Sequence, residues 1–304
     1  MKVSPFDGNI LAVAASQNFG LKGSGRLYIV SLPPRTDPPV EGQVLQCFDF
    51  RDGIFDVAWS EIDRNSLVVG GGDGKVYRVT LGDVKAPVSL YGHNKEISSL
   101  DWCPLRQDKF LSTSWDSTIR IFTGSLGVNV IRGHAGVVNE ARWSPRHANL
   151  LISVSADRTA RLWDDRHSSA AASAVISPDE SLMVQDFLTV DWNKYEEWNV
   201  VTGTPSDLLF WDIRSLARGP VNRIPLAHRR AIKRVRFSPW QGNKLASVGF
   251  DMSLRLWDLT ALNPRGLAFD RYTEFVTGLD WSNFDRNKLF TCSWDETVVV
   301  HQSI

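Results

Sequence analysis

Short alternating stretches recur along this chain, each ending on an aromatic residue and followed 14 residues later by an aspartate in a turn. Trp59 leads to Asp73, Trp102 to Asp116, Trp143 to Asp157, Phe237 to Asp251 and Trp281 to Asp295. A period of two is the pattern of half-buried strands, and the turn residues between stretches set short hairpins. The aromatics are separated by 43, 41, 94 and 44 residues, and Trp192 divides the long gap into 49 and 45. Inside the units the spacing recurs. Ser112, Ser153, Ser247 and Thr291 stand four residues before the turn aspartate, and Thr202 takes the matching place in the Trp192 unit. Phe122, Trp163 and Trp257 follow the aspartate by six, and His93, His134 and His228 precede the anchor aromatic by nine.

A period near 44 built of short strands is the signature of a β-propeller. Six units begin near residues 51, 92, 133, 180, 226 and 271. A seventh precedes them, because Val3-Ser-Pro-Phe6 parallels Trp143-Ser-Pro145 and strands are expected at Ile10–Ala15 and Gly25–Val30. The expected fold is all-β, one seven-bladed domain over 1–304, with blades of about 1–50, 51–91, 92–132, 133–179, 180–225, 226–270 and 271–304. Seven blades close a ring and leave only short edges. The Pro-rich stretch 33–39 is expected as a surface connection, since proline cannot donate to a ladder.

Composition narrows the function. Lysine plus arginine equals aspartate plus glutamate at 34 each, which points away from nucleic acid and anionic membranes as main partners. Cys47, Cys103 and Cys292 are scattered, odd in number and without metal-ligand spacing, which fits a reducing compartment. The start of the chain lacks a signal-peptide apolar region, and no window approaches 18 continuous apolar residues, so a cytoplasmic protein with no direct membrane insertion is expected. No phosphate loop, nucleophile elbow or metal cluster stands out, so neither catalysis nor a cofactor is expected.

The Gly-His pairs at 92 and 133 and the Trp-Asp pairs at 163, 211 and 257 resemble the WD-repeat family. The resemblance implies a buried network in which the histidine bonds the turn aspartate and a Ser or Thr and a tryptophan complete it. The members here are His93, Ser112 and Asp116; His134, Ser153, Asp157 and Trp163; and His228, Ser247, Asp251 and Trp257. In the fifth unit Ser206 occupies the aspartate slot and Met183 replaces the histidine, while His147, His167 and His301 read as isolated. The last blade ends at VVVHQSI with no outer strand behind it, and the chain starts straight at blade one. Rings of this family usually borrow an N-terminal strand at that seam. Either the seam closes otherwise, or N-terminal residues are missing.

The segments outside the repeat, chiefly LAVAASQNFGLKGSGRLYIV (11–30), DGIFDVAWSE (52–61), FLSTSWDSTIRIF (110–122), AIKRVRFSPW (231–240) and TEFVTGLDWS (273–282), resemble the receptor for the type 2 peroxisomal targeting signal, the peroxin-7 family. That resemblance implies a protein that carries cargo enzymes from cytosol to peroxisome with a co-receptor and the peroxisomal docking machinery. The signal is an N-terminal nonapeptide: basic then apolar, five variable residues, then His or Gln and an apolar residue. Its two halves fall on one face of a helix, and such a helix docks in a groove offering acidic and apolar partners.

In WD-repeat rings the ligand-facing positions lie six and four residues before the anchor and just before the turn aspartate. These are Phe55; Glu96 and Trp115; Val137 and Asn139; Asp186 and Leu188; Lys233 and Phe250; and Phe275 and Trp294, with Asp52 beside the first. Asp52 and Glu96 are expected to receive the basic residue of the signal, and Phe55, Trp115, Phe275 and Trp294 to pack apolar faces of cargo or co-receptor. Asp186 supplies a further carboxylate and Phe250 a further ring. Two other platforms compete. WDDR at 163–166 and WDIR at 211–214 match the pattern by which substrate receptors of cullin-type ubiquitin ligases dock their adaptor. The basic run from His228 to Arg236 is the one candidate nucleic-acid patch, but strand alternation sends Lys233 and Arg234 to opposite faces.

Overall fold

The computed structural model describes residues 1–20, 22–33, 41–83, 86–124, 127–167, 172–176, 186–261, 264 and 266–302. The chain folds into seven antiparallel sheets set around a ring. Blade one holds β1 (Lys2–Val3), β2 (Ile10–Ser16), β3 (Gly25–Ser31) and β4 (Gln43–Phe50). Blade two holds β5 (Ile54–Trp59), β6 (Ser66–Gly71), β7 (Val76–Thr80) and β8 (Val88–Ser89), and blade three β9 (Ile97–Trp102), β10 (Lys109–Ser114), β11 (Thr118–Thr123) and β12 (Gly127–Arg132). Blade four follows with β13 (Val138–Trp143), β14 (Leu150–Ser155), β15 (Ala160–Asp164) and β16 (Ala174–Ile176). Blade five comprises β17 (Thr189–Trp192), β18 (Asn199–Gly203), β19 (Leu208–Asp212) and β20 (Asn222–Ile224). Blade six comprises β21 (Ile232–Phe237), β22 (Lys244–Gly249), β23 (Leu254–Asp258) and β24 (Leu267–Phe269). Blade seven has three strands among the described residues, β25 (Val276–Trp281), β26 (Lys288–Ser293) and β27 (Val298–Gln302).

The core is divided among the seams. Each of seven apolar clusters joins two neighbouring blades, as Leu27 and Phe50 of blade one meet Val57 and Trp59 of blade two. The leanest is the closing seam, where Met1, Val3 and Leu11 meet Phe290 and Cys292. Polar latches cross the same seams. The Asp56 carboxylate accepts the Leu100 N–H at 2.9 Å, Asp101 that of Trp143 at 2.8 Å, Glu140 that of Val190 at 3.1 Å and Asp191 that of Phe237 at 2.8 Å. Indoles add bonds across three seams: Trp59 donates to the Lys2 carbonyl, Trp192 to that of Arg142 and Trp281 to that of Arg236, each at 3.1 Å. Asp280 accepts the Val3 N–H at 2.9 Å, so the ring closes by the same latch as its ordinary seams.

The channel is lined by charge. The buried Glu140 carboxylate holds Arg142 at 2.9 Å, Arg234 at 2.5 Å and Arg236 at 2.6 Å, while Arg234 also meets Asp56 at 3.2 Å and Arg142 meets Asp101 at 2.5 Å. Burial alone would raise the Glu140 carboxyl, but Arg234 and Arg142 outweigh it and hold it below the usual carboxylate range.

In blade four the Asp157 carboxylate lies 2.8 Å from His134 Nδ1, which therefore donates. Nε2 is then the acceptor for the Ser153 hydroxyl at 2.7 Å, and Ser153 Oγ accepts the Trp163 N–H at 2.8 Å. Blade six repeats the chain, with His228 2.9 Å from Asp251 and 2.7 Å from Ser247, and Trp257 donating to Ser247 at 2.9 Å. In blade three His93 lies 3.1 Å from Asp116 and 2.7 Å from Ser112, and Phe122 stands where the indole would be.

Two readings need correction. His301 is not isolated: Tyr272 Oη lies 2.6 Å from Thr291 Oγ1 and 2.9 Å from His301 Nε2, a buried triad in which tyrosine replaces the entry histidine and histidine the tryptophan. His147 stacks on Trp198 with ring centroids 4.7 Å apart. In blade five Asp207, one residue beyond Ser206, instead faces the entry to blade six, accepting the Leu226 N–H at 3.0 Å and pairing with Arg223 at 2.6 Å. Met183 lies outside the described residues.

Candidate functional site

The inner strands open on the rim through a repeated irregularity. In β5, β9, β13, β21 and β25 the ladder skips one residue, four before the anchor: Phe55, Ser98, Asn139, Lys233 and Thr277. A bulged residue has no cross-strand partner, and the extra residue re-aims its side chain. Phe55, Ser98, Asn139 and Lys233 accordingly line one cavity of about 170 Å³ together with Leu188 of blade five. Ile97, Trp115, Ala231, Ile232 and Phe250 complete its wall. The polar members Ser98 and Asn139 are tied to the next blade through the carbonyls of Val138 at 2.5 Å and Phe187 at 2.7 Å. Lys233 is open to water yet ringed by protein. The crowding and the adjacent Arg234 push its ammonium down to about 8, against the pull of Glu140 and Asp56.

A second device pairs the rim positions. The N–H of the residue before the turn aspartate donates to the carbonyl six residues before the anchor, joining Trp115 to Glu96 at 3.1 Å, Phe250 to Ala231 at 2.9 Å and Trp294 to Phe275 at 3.0 Å. The backbone of Trp115 is thereby held to that of Glu96, and its side chain is 47% exposed. Phe250, Phe275 and Trp294 form one cluster, with centroids 4.9 Å, 5.2 Å and 6.2 Å apart. In blade two the pre-turn position is Gly72, and a Cβ there would lie 3.1 Å from Asp52 Oδ1 and 3.2 Å from the Phe55 ring. The glycine leaves the space that Asp52 and Phe55 fill.

The 3₁₀ turn that precedes β3 in blade one has its place here. Residues Gln17–Gly20 form it, and a Cβ at Gly20, whose φ is +77°, would lie 2.5 Å from the Phe55 ring. Glycine is thus required twice over, for its left-handed backbone and for the close approach of the phenyl group.

Of the residues singled out by sequence, Phe55, Trp115 and Phe250 border the cavity, Phe275 and Trp294 extend it through Phe250, and Glu96 and Asp52 flank it. Asp186 is half-buried two residues before Leu188, without an ion-pair partner among the described residues. Val137 pairs with Ala156 and brings no ring to the rim. Lys233, Leu188 and Asn139 belong to the cavity wall itself; sequence reading missed Ile97, Ser98, Ala231 and Ile232 of that wall, and Gly20 behind Phe55.

The competing patterns fold differently. Arg166 clamps Asp164 and Arg214 clamps Asp212 of its own strand, at 2.5 Å and 2.7 Å. Of the basic run, Arg234 and Arg236 are buried in the channel on Glu140 and His228 in its blade, leaving Arg229, Arg230 and Lys233 exposed. Among the described residues no helix is long and apolar enough to cross a membrane.

A ring of seven sheets with this network and this rim is a WD-repeat interaction platform, and residues 85–123, 127–164, 220–258 and 267–302 match the family described as WD domain, G-beta repeat. Relatives extend the match to nearly the whole chain. It is 34% identical to the mouse peroxisomal targeting signal 2 receptor over 99% of this chain and 92% of the mouse protein. It is 35% identical to peroxisome biogenesis protein 7 of Arabidopsis thaliana over 99% of this chain and 94% of that protein. The receptor of Saccharomyces cerevisiae is 28% identical over 99% of this chain and 95% of its own length. The chain belongs to the family of peroxisomal targeting signal 2 receptors.

Proposed function

We propose that this protein is a non-enzymatic receptor that binds the N-terminal type 2 peroxisomal targeting signal of cargo enzymes on the bulged rim. It acts together with a co-receptor and delivers cargo from the cytoplasm to the docking machinery of the peroxisome. The observation that carries the site is the cavity walled by the apolar side chains of Phe55, Trp115, Leu188 and Phe250 together with Ser98, Asn139 and Lys233, with Glu96 and Asp52 at its flank. A helical signal lays its apolar residues on the rings and points its basic residue at Glu96 and Asp52. The cluster of Phe250, Phe275 and Trp294 offers a continuous apolar surface to the co-receptor.

Exposed ion pairs contribute little, about 0–1 kcal/mol, but a carboxylate covered by ligand counts for more. Glu96→Arg should therefore weaken a fluorescent signal nonapeptide about tenfold or more in anisotropy titrations, with and without cell extract supplying a co-receptor, and leave thermal unfolding unchanged. Equal affinity of variant and parent removes Glu96 from the site.

A further inference from the structure

The opposite rim carries a pattern as regular as the first. A buried Ser, Asn or Cys follows each anchor and accepts amides of the next turn, as Ser60 does from Ile62 and Asp63 and Ser282 from Phe284 and Asp285. The turns are therefore rigid, and the side chain three residues after the anchor is held at the lower corner of its blade. In six blades that residue is apolar or aromatic and exposed: Phe6 (42%), Ile62 (61%), Leu105 (48%), Tyr195 (51%), Trp240 (38%) and Phe284 (53%).

Some of this placement serves the ring itself. Tyr195 Oη donates to the Pro239 carbonyl at 3.1 Å and Trp240 Nε1 to that of Ser282 at 2.8 Å, and the Phe284 ring fills the space beside Gly8, where a Cβ would meet it at 2.9 Å. Bracing does not account for Ile62 and Leu105, which belong to the arc running Phe284, Phe6, Ile62, Leu105 over blades seven, one, two and three. Exposed apolar residues at one repeated position on rigid turns are the makings of an interface.

The charge beside this arc selects the occupant. Glu61, next to Ile62, is half-buried and has no ion-pair partner among the described residues. Burial and the negative fields of Asp101 and Asp280 raise its carboxyl, with Lys2 alone opposing, and Lys2 is already 3.8 Å from Asp280. The carboxylates gathered there, Glu61, Asp101 and Asp280, disfavour an anionic lipid surface. An incoming cation is favoured.

We propose that this lower face is a second docking surface, for a partner segment that presents a lysine or arginine between bulky apolar side chains. The cation sits beside Glu61, and the apolar flanks lie on Phe284, Phe6, Ile62 and Leu105. Cargo on the upper rim leaves this face free, so both are occupied at once.

A phage-displayed library of random dodecapeptides, panned on the full chain with excess signal nonapeptide covering the upper rim, tests this. The enriched peptides should carry a basic residue flanked by apolar ones. Their synthetic forms should bind Glu61→Lys and Ile62→Glu about tenfold or more weakly than the parent, and Glu96→Arg equally well. Ile62 and Glu61 lie outside the apolar clusters, so both variants should unfold at the parent's temperature. No enrichment, enriched peptides without the basic-apolar pattern, or unchanged binding to both variants overturns the proposal. So does a parental dimer in sedimentation that Ile62→Glu converts to monomer. The panning stands whether or not the nonapeptide binds.

Discussion

Trp115 offers the sharpest test of the upper rim. Its side chain is 47% exposed and forms part of the cavity wall. A tryptophan side chain presents at most about 250 Å², so about 120 Å² is still open to a ligand. Covering that area is worth about 3 kcal/mol at about 25 cal/mol per Å², and ordering of the ligand offsets up to about half of it. Trp115→Ala should thus weaken the signal nonapeptide about ten- to a hundredfold. The fold loses little, because the backbone bond from Trp115 N–H to the Glu96 carbonyl survives the substitution. Anisotropy titration reads the affinity and differential scanning calorimetry the stability. A dissociation constant within about twofold of the parent, with an unchanged melting temperature, would show that the indole lies outside the bound footprint.

Three further outcomes follow from the geometry. Asp280→Ala leaves the buried Val3 N–H without its acceptor, costing about 1–3 kcal/mol, and should speed hydrogen exchange in β1 and β25; unchanged exchange there would disprove the latch. Ser153→Ala orphans both Trp163 Nε1 and His134 Nε2 and should cost about 2–3 kcal/mol in urea unfolding, more than Ser112→Ala, where Phe122 has no N–H to lose; equal losses would contradict the network. Burial and Arg271 push His301 down to about 4, so between that pH and about 6.5 the unfolded chain binds the extra proton. This contribution is complete above about pH 6.5 and is lost as pH falls towards 4, up to about 3 kcal/mol. Parallel pH profiles of melting for the parent and His301→Phe would refute it.

Much of the blade was readable because its spacing is chemistry. The 14 residues from anchor to turn aspartate and the nine from histidine to anchor place His134, Ser153 and Trp163 within bonding reach. Blade seven was misread for looking at residue types instead of positions. Tyr272 stands nine before Trp281 and His301 ten after Thr291, the places of a histidine and a tryptophan elsewhere. The rim positions were legible as a list, but the cavity was not. A bulge is a property of pairing between strands, and nothing in Ile-Lys-Arg-Val announces that Lys233 will be skipped while Arg234 turns into the channel. The latches from Asp56, Asp101, Asp191 and Asp280 were hidden for a similar reason, since each serves an amide some 45 residues or a whole ring away.

The skipped position frees its occupant from the grammar of the sheet. Phenylalanine, serine, asparagine, lysine and threonine all stand there in five blades of one chain, without any change in strand pairing around them. Recognition chemistry at the mouth is thereby uncoupled from foldability. A propeller of this build can trade one ligand preference for another by single exchanges at the bulge, while the sheets beneath go on pairing as before.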